Sequence, residues 1–170
     1  MIGTVNYMNL NEHPIVLRFV EDRTNNFTEV YHSHQGIELI YIHQGKGKVI
    51  IEQKIYTVED GTLVIFSPFQ LHRVQMSTSK PYIRSLFLVE PRGIESFLSP
   101  FPHLKGIFEQ LKRGAYHILQ GLNEREISEL FSFHQKRLDE KGGLLEQQVI
   151  FMFSFLKLIS PQLVTASTKK

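Results

Sequence analysis

YHSHQGIELIYIHQGKGKVIIEQKIYTVEDGTLVIFSPFQLHRV, residues Tyr31–Val74, sets short runs of Val, Ile and aromatic residues between turn formers. The runs are Ile37–His43 (IELIYIH), Lys48–Gln53 (KVIIEQ) and Thr62–Phe66 (TLVIF), and Gln44-Gly45-Lys46-Gly47 and Glu59-Asp60-Gly61 punctuate them. Gly45, Gly47 and Asp60-Gly61 are natural hairpin or bulge positions, because glycine tolerates positive φ. Outward on either side, Ile15–Val20 (IVLRFV) and Ile83–Val89 (IRSLFLV) have the same strand-like character. Many short strands with close turns predict a sandwich or small barrel and argue against alternating βαβ units.

Beyond Pro91 the pattern turns helical. Leu104–Arg113 fits a short helix. Asn123 followed by Glu126 reads as an N-cap with its capping-box partner, and Ile127, Leu130, Phe131, His134 and Leu138 recur at helical spacing until Gly142-Gly143. A third helix is expected over Leu144–Ile159, ending before Pro161, with 11 apolar residues in 16. So wide an apolar face must be sandwiched between the barrel and the preceding helix, or form part of a dimer interface. Gln162–Lys170 is polar and reads as a linker. The expected organisation is a barrel over 1–91, a helical dimerisation region over 92–161 and the start of a linker over 162–170.

At 170 residues and 42% hydrophobic, the chain has material for one cored domain with at most a small appendage. The absence of cysteine excludes thiol catalysis, disulfides and thiolate metal sites. Lys plus Arg number 19 against 17 Asp plus Glu, a net charge of +2 with no basic block before Lys169-Lys170, so nucleic-acid binding by this stretch is not expected. No charged n-region precedes an apolar run of signal or membrane length, and the expectation is a soluble cytoplasmic protein with no membrane partner.

One constellation carries chemistry: His32-Ser33-His34, then Glu38, then His72. In an extended segment His32 and His34 share a face. Glu38 keeps that spacing only without a bulge; as a strand residue between Ile37 and Leu39 it otherwise faces the other way, lining the pocket or pairing with an arginine. Three imidazoles and a carboxylate form a reasonable N/O ligand set for Zn, Mn, Fe, Ni or Cu, provided His72 lies across the sheet. The structural alternative makes His32 and His34 polar residues of a barrel mouth, bonded to Glu38 or a backbone carbonyl, and His72 ordinary surface. His43, His103, His117 and His134 stand outside this set.

His32-x-His34-x-x-x-Glu38, followed by Gly45, Gly61, a later proline and His72, resembles the two cupin motifs, whose histidines and glutamate bind a metal inside a double-stranded β-helix (jelly-roll) barrel. The longer segment Tyr31–Val74 is similar to the N-terminal effector-binding domain of AraC-type bacterial transcription regulators. The resemblance covers roughly residues 12–90. It implies a mainly β fold, a cupin-like barrel followed by about three helices. It also implies a non-enzymatic sensor that binds a small, sugar-like effector, forms a homodimer through its C-terminal helices and meets DNA only through a helix-turn-helix domain not present in this chain. Metal-binding cupins usually carry Pro and Gly five and three residues before the second-motif histidine and Asn four after it; here those places hold Ser67, Phe69 and Met76, and only Pro68 keeps the proline character.

Barrel interiors and mouths are where small ligands bind. The expected effector-binding candidates are therefore Arg18, His32, His34, Glu38, Tyr41, Phe66, His72 and Arg84, since planar donors and rings can orient a sugar or carboxylate. Which of them point inward depends on register. No cofactor is expected, and His32, His34, Glu38 and His72 are the candidate ligands for a divalent Zn, Mn, Fe or Ni ion. The alternative is a metal-dependent cupin enzyme, a dioxygenase or isomerase, using the same four residues; a third possibility is a non-catalytic domain with a filled barrel.

Overall fold

The structure, a computed structural model, describes residues 9–138 and 142–167. Positions 1–8 of the expected barrel and 168–170 of the expected linker lie outside the described residues. The strands are β1 (Ile15–Asp22), β2 (Ile37–Gln44), β3 (Gly47–Ile51), β4 (Lys54–Val58), β5 (Leu63–Phe66), β6 (His72–Met76), β7 (Ile83–Val89) and β8 (Ile118–Leu119). The helices are α1 (Pro91–Leu98), α2 (Pro102–Lys112), α3 (Glu124–Leu138) and α4 (Leu144–Ser167).

The strands form a five-stranded sheet in the order β1-β7-β2-β5-β8 and a three-stranded sheet in the order β4-β3-β6. Side-chain parity then builds three layers. On β2, Ile40 and Ile42 point between the sheets, where they meet Val49, Ile51, Val64, Phe66, Val74 and Leu86. Ile37, Leu39 and Tyr41 point the other way, into a second core with Phe87, Phe108, Phe131, Phe151 and Phe155. A strand covered on both faces has no polar side, and for that reason IELIYIH reads as a near-continuous apolar run rather than an alternating one.

Among the described residues the helices number four, where about three were expected. Pro91 is not merely a boundary: it lies in the first turn of α1, where its missing N–H costs nothing and its fixed φ suits the turn, and the Glu90 carboxylate caps the helix by accepting from Arg92 N at 3.3 Å. A second correction concerns Pro161. The helix does not stop before it but runs on to Ser167, so residues 162–167, read as linker, are helical. Pro161 cannot donate to the carbonyl of Lys157; Ser160 Oγ donates to that carbonyl instead, at 2.9 Å, which satisfies the group that the proline leaves open. Asn123 caps α3 as expected, Oδ1 accepting from Arg125 N and Glu126 N.

The apolar excess of α4 is mostly consumed inside the molecule. Phe151, Met152, Phe155, Leu156, Ile159 and Leu163 are buried in the helix-facing core, while Leu144, Leu145 and Ile150 remain exposed, as does Phe133 on α3. Among the described residues, no helix is long and apolar enough to cross a membrane.

His43 of β2 and His134 of α3 border the core between the sheet and the helices. His43 bonds Ser85 Oγ at 2.7 Å and abuts the rings of Tyr41 and Phe131, and His134 packs on Phe151. Burial lowers the pKa of both, Arg137 adding to the effect on His134. The unfolded chain therefore takes up these protons more readily, so their contribution is complete above a pH of about 6.5 and is lost as pH falls below it. The urea midpoint of the wild type is expected to fall between pH 7.5 and 5.5 more than that of a His43→Gln/His134→Gln variant. An equal drop in both proteins would remove these residues as the cause.

Candidate functional site

His32 and His34 precede β2, and Gln35-Gly36 forms a bend between them and the strand. That bend resolves the parity problem. The histidines are not in register with β2, so Glu38 turns inward on the Ile40/Ile42 face and still meets them. His32 joins His72 through paired backbone bonds, His32 N to His72 O at 3.1 Å and His72 N to His32 O at 3.0 Å. The rings of the two lie 4.3 Å apart, so His72 does lie across from the first motif. One ligand atom from each of His32, His34, Glu38 and His72 falls within 4.8 Å of the others.

Each imidazole is oriented from behind. Nδ1 of His32 meets Val30 O at 2.9 Å, that of His34 meets Gly36 O at 3.3 Å and that of His72 meets Gln70 O at 2.8 Å. A carbonyl only accepts, so each Nδ1 carries a proton and is turned away from the centre, leaving Nε2 as the available donor atom for a metal. A metal-binding histidine is fixed in the same way. His72 is 1% exposed and stacks on Phe66 with ring centroids 3.8 Å apart. Glu38 Oε2 accepts from His34 Nε2 and lies 3.2 Å from His72 Nε2. Burial on its own would raise the Glu38 pKa, yet the hydrogen bonds and charges of His34 and His72 hold it well below the usual carboxylate range. For His34, burial works downward and the Glu38 carboxylate overrides it, raising the pKa.

The donor set fits a divalent ion: neutral nitrogen and carboxylate oxygen, with the nitrogen tautomers fixed by backbone partners. It also satisfies itself as a hydrogen-bonded cluster around the Glu38 carboxylate, so an incoming ion would replace those contacts. Position 69, where cupins usually carry glycine, holds Phe69 at φ +60°, a left-handed conformation costly for a non-glycine residue. The Phe69 ring is exposed, and its N–H donates to His34 O at 2.7 Å. Strain of this kind persists where surroundings enforce it.

Two clefts are lined by sequence neighbours of the cluster, though by none of its four members. One of about 860 Å³ is lined by residues including Gln35, Pro68, Phe69, Glu90, Arg92 and Lys112, and the other, about 650 Å³, includes Tyr31, Ile50 and Leu71. Of the other expected ligand contacts, Phe66 faces the barrel interior beside His72, and Arg84 is buried on the inner face of β7, paired to Glu29 at 2.8 Å. Arg18 is half-buried on β1, with Nη1 3.9 Å from Glu21 Oε1. Tyr41 points away from the barrel interior into the core shared with α3 and α4, since it follows Ile37 and Leu39 in parity. Sequence reasoning missed Gln35 and Glu90. Gln35 Nε2 donates to Glu90 Oε2 at 2.6 Å, and Glu90 caps α1, so the residue after His34 is bonded to the helical layer.

The chain matches the AraC-like ligand binding domain over residues 14–135. Among solved structures it is similar to a tryptophan-to-tyrosine variant of oxalate decarboxylase from Bacillus subtilis, at 24% identity and a TM-score of 0.34, over 37% of this chain and 18% of that chain. It is also similar to a conserved protein of unknown function from Streptococcus pyogenes, at 19% identity and a TM-score of 0.34, over 45% of this chain and 63% of that chain. In both comparisons the chain spans less than two thirds of the other protein. No curated protein matches it.

Proposed function

Because the chain belongs to the AraC-like ligand-binding domain family, with the match covering residues 14–135, we propose that it is the effector-sensing and dimerising half of a cytoplasmic AraC-type transcription regulator. A small molecule binds at the barrel mouth, and helix-turn-helix modules attached beyond the helices read DNA. The observation that carries this reading is a bond from the residue next to the site to the helices: His34 belongs to the cluster, Gln35 follows it, and Gln35 holds the carboxylate that caps α1. A ligand that moves His34 thereby biases the packing of α1, which is what a population shift between two arrangements of barrel and helices requires.

His32, His34, Glu38 and His72 would hold a Zn, Mn, Fe or Ni ion, and such an ion would supply a Lewis-acidic anchor for an oxygen atom of the effector. Dimerisation uses exposed apolar side chains of the last two helices, Leu144, Leu145 and Ile150 of α4 with Phe133 of α3.

Sedimentation velocity of the purified chain with and without zinc tests both parts. The wild type is expected to form dimers whose proportion changes with zinc. Gln35→Leu should bind zinc with unchanged affinity but lose the change in dimer proportion. A monomer at high micromolar concentration would refute the dimer, and an unaltered response in Gln35→Leu would refute the coupling route. The complete donor set also favours a second reading, a metal-dependent cupin enzyme. Turnover of a small organic acid or sugar by the metal-loaded chain, abolished in His72→Ala, would establish that reading over the sensor.

A further inference from the structure

We propose that Arg84 anchors a carboxylate group of the effector and that Glu29 holds that place in the ligand-free protein. This inference rests on the ligand-sensing reading above and adds the chemical class of the ligand. Arg84 is 4% exposed and lies on the inner face of β7 with Leu86 and Leu88. Its guanidinium is incompletely used. Nη1 donates to Glu29 Oε1 at 2.8 Å and lies 3.4 Å from the Tyr82 hydroxyl, whereas Nε is buried with no hydrogen-bond partner. An arginine offers a planar fork suited to two parallel bonds with one carboxylate, and a buried N–H left without an acceptor is costly. The ligand-free barrel therefore presents half of a carboxylate site.

Glu29 is placed to leave. Its side chain is 17% exposed against 5% for that of Arg84, so Glu29 is the more solvent-accessible partner of the pair. Its backbone is held independently, N–H donating to Val74 O at 2.9 Å and the carbonyl accepting from Arg73 Nε at 3.1 Å. In the proposed exchange the Glu29 carboxylate swings outward on its side-chain bonds while its backbone stays held, and the incoming carboxylate takes its place. The newcomer inherits the Nη1 bond and is free to take the Nε proton as well. A neutral sugar in the same place would leave the buried guanidinium without its counter-charge. The pairings Ile42 with Arg84 and Glu38 with Leu88 put Glu38 on the same inner face, four positions away along β2, roughly 14 Å of strand. A ligand at Arg84 thus enters the same barrel interior that the histidine cluster borders.

Thermal melting of the wild type, Glu29→Ala and Arg84→Gln is measured with acetate, benzoate and succinate, with sodium chloride at equal ionic strength, and with glucose and xylitol. The expected result is stabilisation of the wild type by at least one carboxylate beyond chloride. The same shift should occur in Glu29→Ala at about tenfold lower concentration, and it should be absent in Arg84→Gln. If Arg84→Gln does not fold, Arg84→Lys, which keeps the charge without the fork, should need at least about tenfold more carboxylate. Three outcomes overturn the inference: carboxylates no better than chloride in every protein, stabilisation of Glu29→Ala alone through the hole its truncation leaves, or a response independent of Arg84. Stabilisation of the wild type by the neutral compounds alone overturns the carboxylate class while leaving the ligand-sensing reading intact.

Discussion

Phe155→Ala is expected to destabilise the domain by about 3–5 kcal/mol, read as a fall in the urea midpoint. Phe155 is fully buried, with ring centroids 5.3 Å from Phe87, 5.9 Å from Phe131 and 5.8 Å from Phe151. Those neighbours belong to β7, α3 and α4, so a single ring closes the joint between the five-stranded sheet and two helices. Truncation removes its contacts and leaves a cavity that aromatic rings held by three different elements cannot collapse to fill. Whole-domain stability is typically about 5–15 kcal/mol, so the variant should be partly unfolded at moderate temperature. Lys157→Ala, on an exposed position of the same helix outside the apolar patch, serves as the control and should leave stability within about 0.5 kcal/mol. A cost below about 1 kcal/mol for Phe155→Ala would mean that the helical layer is not docked on the sheet as described.

His72→Ala is expected to weaken binding of a divalent ion by at least about 100-fold and to destabilise the metal-free protein as well. The two effects have separate causes. The imidazole is one of four donors, and losing a ligand should cost more than the roughly 10–100-fold loss seen when only a supporting residue is removed. The destabilisation comes from packing and charge: His72 is buried under Phe66 and contributes to the hydrogen bonding that keeps Glu38 ionised. Without it the buried carboxylate keeps His34 alone among its cluster partners. His32→Ala separates the two effects. His32 is only partly buried and makes no bond to Glu38, so its loss should reduce ion affinity with little change in stability. Isothermal titration with zinc and urea melts of both variants check this; unchanged zinc affinity in both would leave the cluster as a hydrogen-bonded barrel mouth.

Much of this arrangement was legible in the sequence. The runs at Ile15, Ile37, Lys48, Thr62 and Ile83 all became strands because β-branched residues between glycine turns leave the backbone few other options. β4 and β6 were harder. Lys54–Val58 is an exposed edge strand, and His72–Met76 mixes buried His72, Val74 and Met76 with polar neighbours, so neither shows an unbroken apolar run. Pro161 misled, since a proline reads as an interruption until its local partner, here the Ser160 hydroxyl, is known; Pro91 does mark the change from strand to helix, though the pattern did not show the short helix α1 that begins on it.

The four-residue cluster was legible as a set, but its geometry was not. Whether Glu38 met the histidines depended on the bend at Gln35-Gly36, which no periodicity reveals. Tyr41 and Arg84 had equal standing as ligand contacts until register turned one toward the helices and the other into the barrel. The contacts that give these residues their interest, Gln35 with Glu90 and Arg84 with Glu29, join positions 55 residues apart in sequence. Only folding brings such pairs together, and no local pattern in the sequence announces them.

Amide hydrogen exchange on the wild-type chain, with and without one equivalent of zinc, tests most directly the claim that the barrel mouth takes a ligand and passes the event to the helices. Added protection is expected at residues 32–38 and 70–72, accompanied by altered exchange in α1. No change in any of these segments would contradict both the site and its coupling, and protection confined to residues 32–38 and 70–72 would contradict the coupling alone.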